Sequence, residues 1–413
     1  MTRRRAVVLS VLLAIGVGGA VAASERSRTD ATYAAVAFYS EAMSIVHEHY
    51  VDQLPWATLV DNGIAGMVEA LDADSDVLSP SQSRDSAPAT PGQDGDVGIV
   101  LGRRNGTLAV IATRDGTSAR AAGLLSGDAV LQVDGVSAEH LPPAGARARL
   151  RGQPGSQVVI SIGRQGWAEP KSITLTRART TAEDVSDRML GDGILYVRIP
   201  EFRDTTAQEL ERLLAAAPAD HATGLVLDLR DTSGGKIEAA VAVAGMFLDT
   251  GQVVARVQSR RPSQAAELPA PAPSAHHDQP IPVLVNRGTE SSAEVLAGAL
   301  QDWGRAIIAG SPTFGDASAQ SATSLPGEQT LLLTTARYLT PKGHPISGKG
   351  IAPDVPTPAH ATAALEPNVA PINSANRDAE VRLAFDLVKA ARIFQHERTG
   401  ADASAHARTD GPE

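Results

Sequence analysis

The sequence predicts an α/β core preceded by a small β domain and a helical N-terminal segment. Three observations predict it. Apolar residues recur at helical spacing up to about Leu78, short β-branched runs between Gly and Asp turns fill 97–177, and strand-like and helix-like stretches alternate from Gly193 onward. With 413 residues, 43% of them hydrophobic and 20% charged, the chain is long enough for two or three domains that each bury a core.

Composition removes several classes of function. A net charge of -10 leaves no broad basic surface for phosphates, and aromatic residues for base stacking make up only 3%, so nucleic acid is not an expected partner. The chain has no cysteine, which excludes disulfides, thiolate metal sites and cysteine nucleophiles. Residues 1–23 place Arg3, Arg4 and Arg5 before an apolar stretch ending in small residues, the pattern of an export signal peptide. The stretch nearly reaches spanning length, so an uncleaved anchor is the other reading. On both readings the rest of the chain is expected to be exported, periplasmic or held at the outer side of the cytoplasmic membrane, touching the membrane only through this segment.

The elements follow in order. Residues 24–80 read as helical in "YAAVAFYSEAMSIVHEHYV" and "LVDNGIAGMVEAL", and 81–96 as a linker with nothing to bury. "VGIVLGRRNGTLAVIAT", "AGLLSGDAVLQVDG", "GSQVVISIGR" and "KSITLTRA" give the β domain, 97–178. Between 179 and 365, "GILYVRIPEF", "GLVLDLR", "IPVLVN" and "AIIAG" read as strands. "TTAQELERLLAAA", with Thr205 or Thr206 as its cap, "IEAAVAVAGMFL" and "SAEVLAGALQDWG" read as helices. The Pro- and Ala-rich stretch 261–280 reads as a surface loop, and 366–413 as a helix with a polar tail.

The passage from Asn286 to Leu300 crowds Thr289, Ser291 and Ser292 around Glu290 directly before a helix. Free N–H groups and the positive end of the dipole at a helix N-terminus stabilise developing negative charge, which suits a serine nucleophile. Serine and threonine are also the ordinary caps of helices. On the residues alone both readings stand.

The surroundings add a resemblance. "SARAAGLLSGDAVLQVDG" followed by "LRGQPGS" is similar to the PDZ domain inside bacterial C-terminal processing peptidases. "LVLDLRDTSGGKIEAAVAVAGMFLD" and the run from "LVNRGTESSAEVLAGALQDWG" to "GKGIAPDV" resemble the catalytic core of these tail-specific serine peptidases, in the family's order. The resemblance implies an α/β peptidase core, a mixed sheet with helices in crotonase-like ββα units, with an inserted PDZ β domain and a helical N-terminal segment. It also implies that a peptide adds as a strand along Val97, Gly98, Ile99 and Val100, its carboxylate held by N–H groups near Gly98. Read without the resemblance, Gly98 serves a tight turn.

The family carries a Ser-Ala-Ser-Ala-Ser-Glu run whose middle serine is the nucleophile. Alignment on Glu294 puts Ser291 at that position, Ser292 at an alanine position and Glu290 where the family has a small neutral residue. The backbone around Gly234, Gly235 and Ser292 is then implied as the oxyanion hole. The family's general base is a lysine in a Phe-Gly-Lys-Gly segment with a glutamine four residues on. Here "TFGDASAQ" keeps Gln320 but has Asp316 at the lysine position, so the Ser-Lys dyad is incomplete. An aspartate works as a base only if burial raises its pKa, with Gln320 donating to it and Glu290 adding repulsion. Among Lys171, Lys236, Lys342, Lys349 and Lys389, only Lys236 adjoins the implied oxyanion glycines; it is a substitute base or a solvated first-turn charge. His344 is a lesser candidate base.

No metal or cofactor is expected. His47 and His49 point apart on a helix, the pair His276 and His277 has no nearby third ligand, and Gly234–Gly235 lacks the pattern of a phosphate loop. The resemblance thus implies a serine endopeptidase acting on exported proteins with PDZ-recognised C-terminal tails, impaired by Asp316. The alternative is a non-cleaving PDZ protein that recognises C-termini and regulates or scaffolds other proteins.

Overall fold

The computed structural model describes residues 31–72, 74–80, 82–83, 95–104, 106–139, 141, 143–179, 184–216, 224–271, 279–357 and 379–393. The leader, most of the expected linker, His276 and His277, and the polar tail lie outside them. The chain divides into two units, Met1–Ala70 and Leu71–Glu413. In the first, helices α1 (31–49) and α2 (Trp56–Glu69) form the apolar-periodic pair that the sequence predicts. His47 bonds the Leu54 carbonyl through Nδ1 at 2.8 Å and its ring lies 4.4 Å from that of Trp56, so it serves the turn between the helices.

The second unit opens with a departure from the helical expectation. Asp76–Leu78 is a short strand, β1, in register with Thr330–Leu332. Three residues are too few to show a period, and their extended conformation comes from a partner far along the chain. Residues 95–179 then hold β2 (Gly95–Asp96), β3 (Ile99–Arg104), β4 (Thr107–Thr113), the short helix α3 (Ser118–Ala121), β5 (Ala129–Val133), β6 (Val136–Ser137), helix α4 (Pro143–Leu150), β7 (Gln157–Gly163), β8 (Lys171–Thr176) and β9 (Ala178–Arg179). The main sheet runs β3-β4-β5-β7-β8. Alternation fixes its faces: in β7, Val158, Ile160 and Ile162 point into a core with Val110, Val130 and Leu175. β3 is an edge strand beside α4.

The remaining elements alternate as expected from 193 to 310. β10 (Ser186–Gly191) pairs antiparallel with β11 (Ile194–Arg198), and β12 (Gly224–Asp228), β15 (Pro282–Val285), β16 (Ile307–Gly310) and β19 (Val355–Pro356) extend that sheet in parallel. Helices α5 (Thr206–Ala216), α6 (Ile237–Ala244) and α7 (Ser292–Asp302) bury Leu210, Val243 and Leu296 in one cluster with Val197, Leu227 and Val283 of the sheet. On the opposite face α8 (379–393) packs Val381, Ala384 and Val388 against Ile194, Val226 and Leu284.

A second, antiparallel sheet joins β1, β13 (Val253–Ser259), β14 (Ala266–Pro269), β17 (Ser318–Ser324) and β18 (Thr330–Leu339). β14 lies inside the stretch expected to be a loop. It is an edge strand paired only with β13, where proline at the strand end removes no needed donor. The β domain meets the core beside the strand-to-helix turn after β15. Arg120 pairs with Asp231 at 3.1 Å and Arg198 with Asp115 at 3.3 Å, and a Cβ on Gly288 would stand 2.9 Å from the Ile111 carbonyl oxygen of β4.

Candidate active site

The turn between β15 and α7 is tied down before it reaches Ser291. Asn286 accepts from the N–H groups of Gly288 and Asp231, both at 2.9 Å, and the Thr289 hydroxyl accepts from the Asn286 N–H at 3.0 Å and donates to the Leu229 carbonyl at 2.7 Å. Thr289 is therefore occupied in structure. Ser292 is too, since its hydroxyl donates to the Gly235 carbonyl at 2.8 Å. Ser291 shares a capping box with Glu294 and differs from both in its backbone. It stands at the N-cap of α7 with φ 52° and ψ -116°, a conformation that costs a non-glycine residue about 1–3 kcal/mol and is held only by its surroundings. It is half-buried, between buried neighbours on both sides.

Gly234 and Gly235 face it. A Cβ on Gly234 would lie 2.8 Å from Ser291 Cβ, so only glycine admits this approach. Gly234 (φ 69°) and Gly235 (φ 106°) are both left-handed, and they are locked by hydrogen bonds from the Phe202 N–H to the Gly234 carbonyl at 2.9 Å and from the Lys236 N–H to the Phe202 carbonyl at 2.8 Å. Among the described residues, the N–H groups of Gly234, Gly235 and Ser292 have no protein acceptor. Donors left open beside a hydroxyl can hold a developing oxyanion. Ser292→Ala removes the strut between α7 and these glycines; a loss of about 1 kcal/mol, read from urea unfolding midpoints with an unchanged slope, is expected.

Glu294 joins the serine to the segment that carries Asp316. Fully buried, it accepts the N–H groups of Ser291 at 3.0 Å, Asp316 at 2.9 Å and Gly315 at 2.7 Å, and also the Thr313 hydroxyl. The amides of Ser291 and Asp316 share its Oε2, which fixes the two residues relative to each other. Burial raises the Glu294 carboxyl to about 7 against the pull of these donors.

Asp316 is half-buried, and burial together with the Asp74 charge raises it to about 7. Gln320 does not donate to Asp316. Its Nε2 donates to Ser318 Oγ at 2.8 Å, and Ser318 Oγ in turn lies 3.2 Å from Asp316 Oδ1 and 2.9 Å from Asp74 Oδ2. The repulsion on Asp316 comes first from Asp74, which the sequence reading overlooked. Glu290 is buried and held well above the usual carboxylate range by desolvation and by Asp316 and Glu294.

The other candidates fall elsewhere. The Lys236 amine does not approach Ser291: it is solvent-exposed and paired with Asp204. His344 is exposed and lies 3.7 Å from Asp302. Of the expected peptide edge, Ile99 and Val100 begin β3, while Val97 and Gly98 precede it. Gly98 (φ 80°) serves a turn, its N–H donating to Asp96 Oδ1 at 2.7 Å. Ile99 and Val100 share a cleft of about 200 Å³ with Arg147, Arg151, Ser233 and Glu290, so the edge strand opens toward the residue before Ser291. No group of three His, Asp or Glu residues suited to a metal ion occurs among the described residues.

Sequence reasoning missed Asp74, Ser318, Arg147 and the clamping role of Glu294. Ser318 had a local signal, since 316, 318 and 320 alternate onto one face of an extended segment. Asp74 had none.

A family model described as Peptidase family S41 matches residues 193–357. A carboxy-terminal-processing protease of Bartonella bacilliformis is 33% identical over 328 residues, covering 78% of this chain and 75% of that protein. A carboxyl-terminal-processing protease of Synechocystis sp. is 33% identical over 284 residues, 67% of this chain and 66% of that one. The solved structure of a photosystem II D1 C-terminal processing protease matches with a TM-score of 0.66 at 28% identity, covering 77% of this chain and 92% of that chain. Fold and relatives together define a serine-type hydrolase. The chain belongs to peptidase family S41, with carboxy-terminal-processing proteases as its relatives.

Proposed function

We propose that the protein is a serine endopeptidase of the C-terminal processing type in which Ser291 is the nucleophile and Asp316, at the family's lysine position, is the base. The observation that carries this reading is the Ser291 backbone, at φ 52° and ψ -116° at the mouth of α7. A serine that only caps a helix takes ordinary extended angles, whereas a nucleophile gains from being thrust out of a sharp turn. In the reaction Ser291 Oγ bonds to the scissile carbonyl carbon as its proton passes to the Asp316 carboxylate. The N–H groups of Gly234, Gly235 and Ser292 receive the oxyanion, and the proton goes to the leaving amine as the C–N bond breaks. Water then repeats the cycle on the acyl-enzyme.

Residues 97–178 act on this reading as a PDZ domain that captures an exposed C-terminal tail along β3, and the cleft from Ile99 and Val100 to Ser233 and Glu290 supports a path from there to the serine. The export-signal or anchor pattern of residues 1–23 supports substrates outside the cytoplasmic membrane on this reading. A second reading, a non-cleaving PDZ protein that binds C-termini, is favoured by one observation: Lys236 is tied to Asp204 at the surface, so it supplies no amine to Ser291.

The test is the pH dependence of cleavage of an unfolded protein with an apolar C-terminal tail. The base must be ionised, so kcat/KM rises with pH, falls about tenfold per unit on the acid side and levels off above the Asp316 value of about 7. Asp316→Asn is expected to lose about 10²-fold or more. Absence of wild-type cleavage, with activity gained in Asp316→Lys, would sink the Asp316 mechanism and leave the binding reading.

A further inference from the structure

The proton inventory around Ser318 leads beyond Asp316. Ser318 Oγ accepts from Gln320 at 2.8 Å and makes contacts with both Asp74 Oδ2 at 2.9 Å and Asp316 Oδ1 at 3.2 Å. A hydroxyl has one proton, so it donates to only one of these carboxyls. The other contact is a hydrogen bond only if that carboxyl supplies the proton. The Asp74 charge also bears on Asp316. The Ser318 contacts require one proton on the pair.

Asp74 is placed there by the fold. The segment that carries it continues into β1, whose partner is β18, the strand that also pairs with the Ser318 strand β17. It is fastened by the Thr334 N–H to Ser75 Oγ at 3.0 Å and the Thr334 hydroxyl to Asp72 Oδ1 at 3.1 Å.

We propose that Asp74 and Asp316 form a carboxyl pair bridged by Ser318 that carries its shared proton on Asp316, with ionised Asp74 the positioning residue whose charge makes Asp316 the stronger acceptor for the Ser291 proton. This rests on the reading of Asp316 as the base. During the cycle Asp316 takes the Ser291 proton and gives it to the leaving amine, and Asp74 stays ionised throughout. The groups facing the pair are Asp72 and Arg337 on the Asp74 side, Arg147 from α4 on both members, and Glu290 and Glu294 from the turn and first residues of α7. Burial raises both members; Asp74 adds to the rise at Asp316 and Asp72 to that at Asp74, while Asp316 and Arg337 hold Asp74 back and Arg147 holds Asp316 back.

The test is a carboxyl-carbon NMR titration from about pH 4 to 9 of the full chain labelled at aspartate. In the wild type, one aspartate signal is expected to titrate well above the usual carboxylate range and to be absent from Asp316→Asn. In Asp74→Asn, whose amide still donates but cannot ionise, that midpoint is expected to move toward acid by about one pH unit. An Asp316 signal that titrates as an ordinary lone carboxyl in the wild type overturns the pair, and this readout needs no variant to fold. So does a midpoint that Asp74→Asn leaves in place. The acid limb of the cleavage profile is expected to shift with the NMR midpoint in Asp74→Asn. If Asp316→Asn cleaves normally while the titration behaves as expected, the base assignment fails and the carboxyl pair stands.

Discussion

Ser291→Ala is expected to reduce cleavage of an unfolded, apolar-tailed protein by at least about 10³-fold while leaving the fold intact. Thr289 holds Leu229 and Asn286, and Ser292 holds Gly235, whereas the Ser291 side chain shares only the capping box of α7 with Glu294. Removing the Ser291 Oγ therefore removes chemistry and one cap contact worth about 1 kcal/mol. Stability reads the backbone strain at this position. Alanine at φ 52° and ψ -116° keeps the backbone strain, whereas glycine relieves it. Ser291→Gly is expected to be about 1 kcal/mol more stable than Ser291→Ala by urea unfolding, with both inactive. A cap role predicts retained cleavage in the alanine variant, so cleavage separates the two roles, whereas glycine is the better residue at this N-cap on either.

The largest stability effect is expected at Gly235. At φ 106° a Cβ would collide with the Phe202 carbonyl oxygen and stand 2.8 Å from Phe202 N. The Phe202 N–H and carbonyl are already committed to Gly234 and Lys236, so the backbone cannot retreat without breaking that bridge. Gly235→Ala is expected to cost about 3 kcal/mol or more, visible as a fall of roughly 6–12 °C in Tm, and to abolish cleavage with the displaced oxyanion donors. Gly191→Ala separates strain from collision, because φ is 111° there and nothing lies within 4 Å of the added Cβ. It is expected to cost about 1–2 kcal/mol and leave cleavage unchanged. Equal losses at the two positions would refute the role given to the Phe202 contact.

Much of this site was legible before the fold was known, and the limits are instructive. The β–α alternation from "GILYVRIPEF" to "AIIAG" read correctly because each stretch carries its own period, and the positive-φ pair Gly234–Gly235 announced a close approach that proved to be Ser291 itself. The strands β13, β14, β17 and β18 were not read. Exposed polar residues such as those of "SAQSATS" have no buried face to impose a pattern, and their pairing comes from partners rather than from side chains.

Lys236 and Asp74 mark the division most clearly. Lys236 adjoins the glycines in sequence, yet its side chain reaches Asp204 in solvent, because backbone proximity does not set side-chain direction. Asp74 and Ser318 are 244 residues apart and meet at 2.9 Å because β1 and β17 flank β18. The sequence by itself determined the long helices and buried strands of the core, the family and the turn that bears Ser291, all of which depend on short-range period and spacing. Only the tertiary structure decided which carboxyls share a proton and which amine is absent, since burial and contact between distant segments exist only once the sheets are assembled.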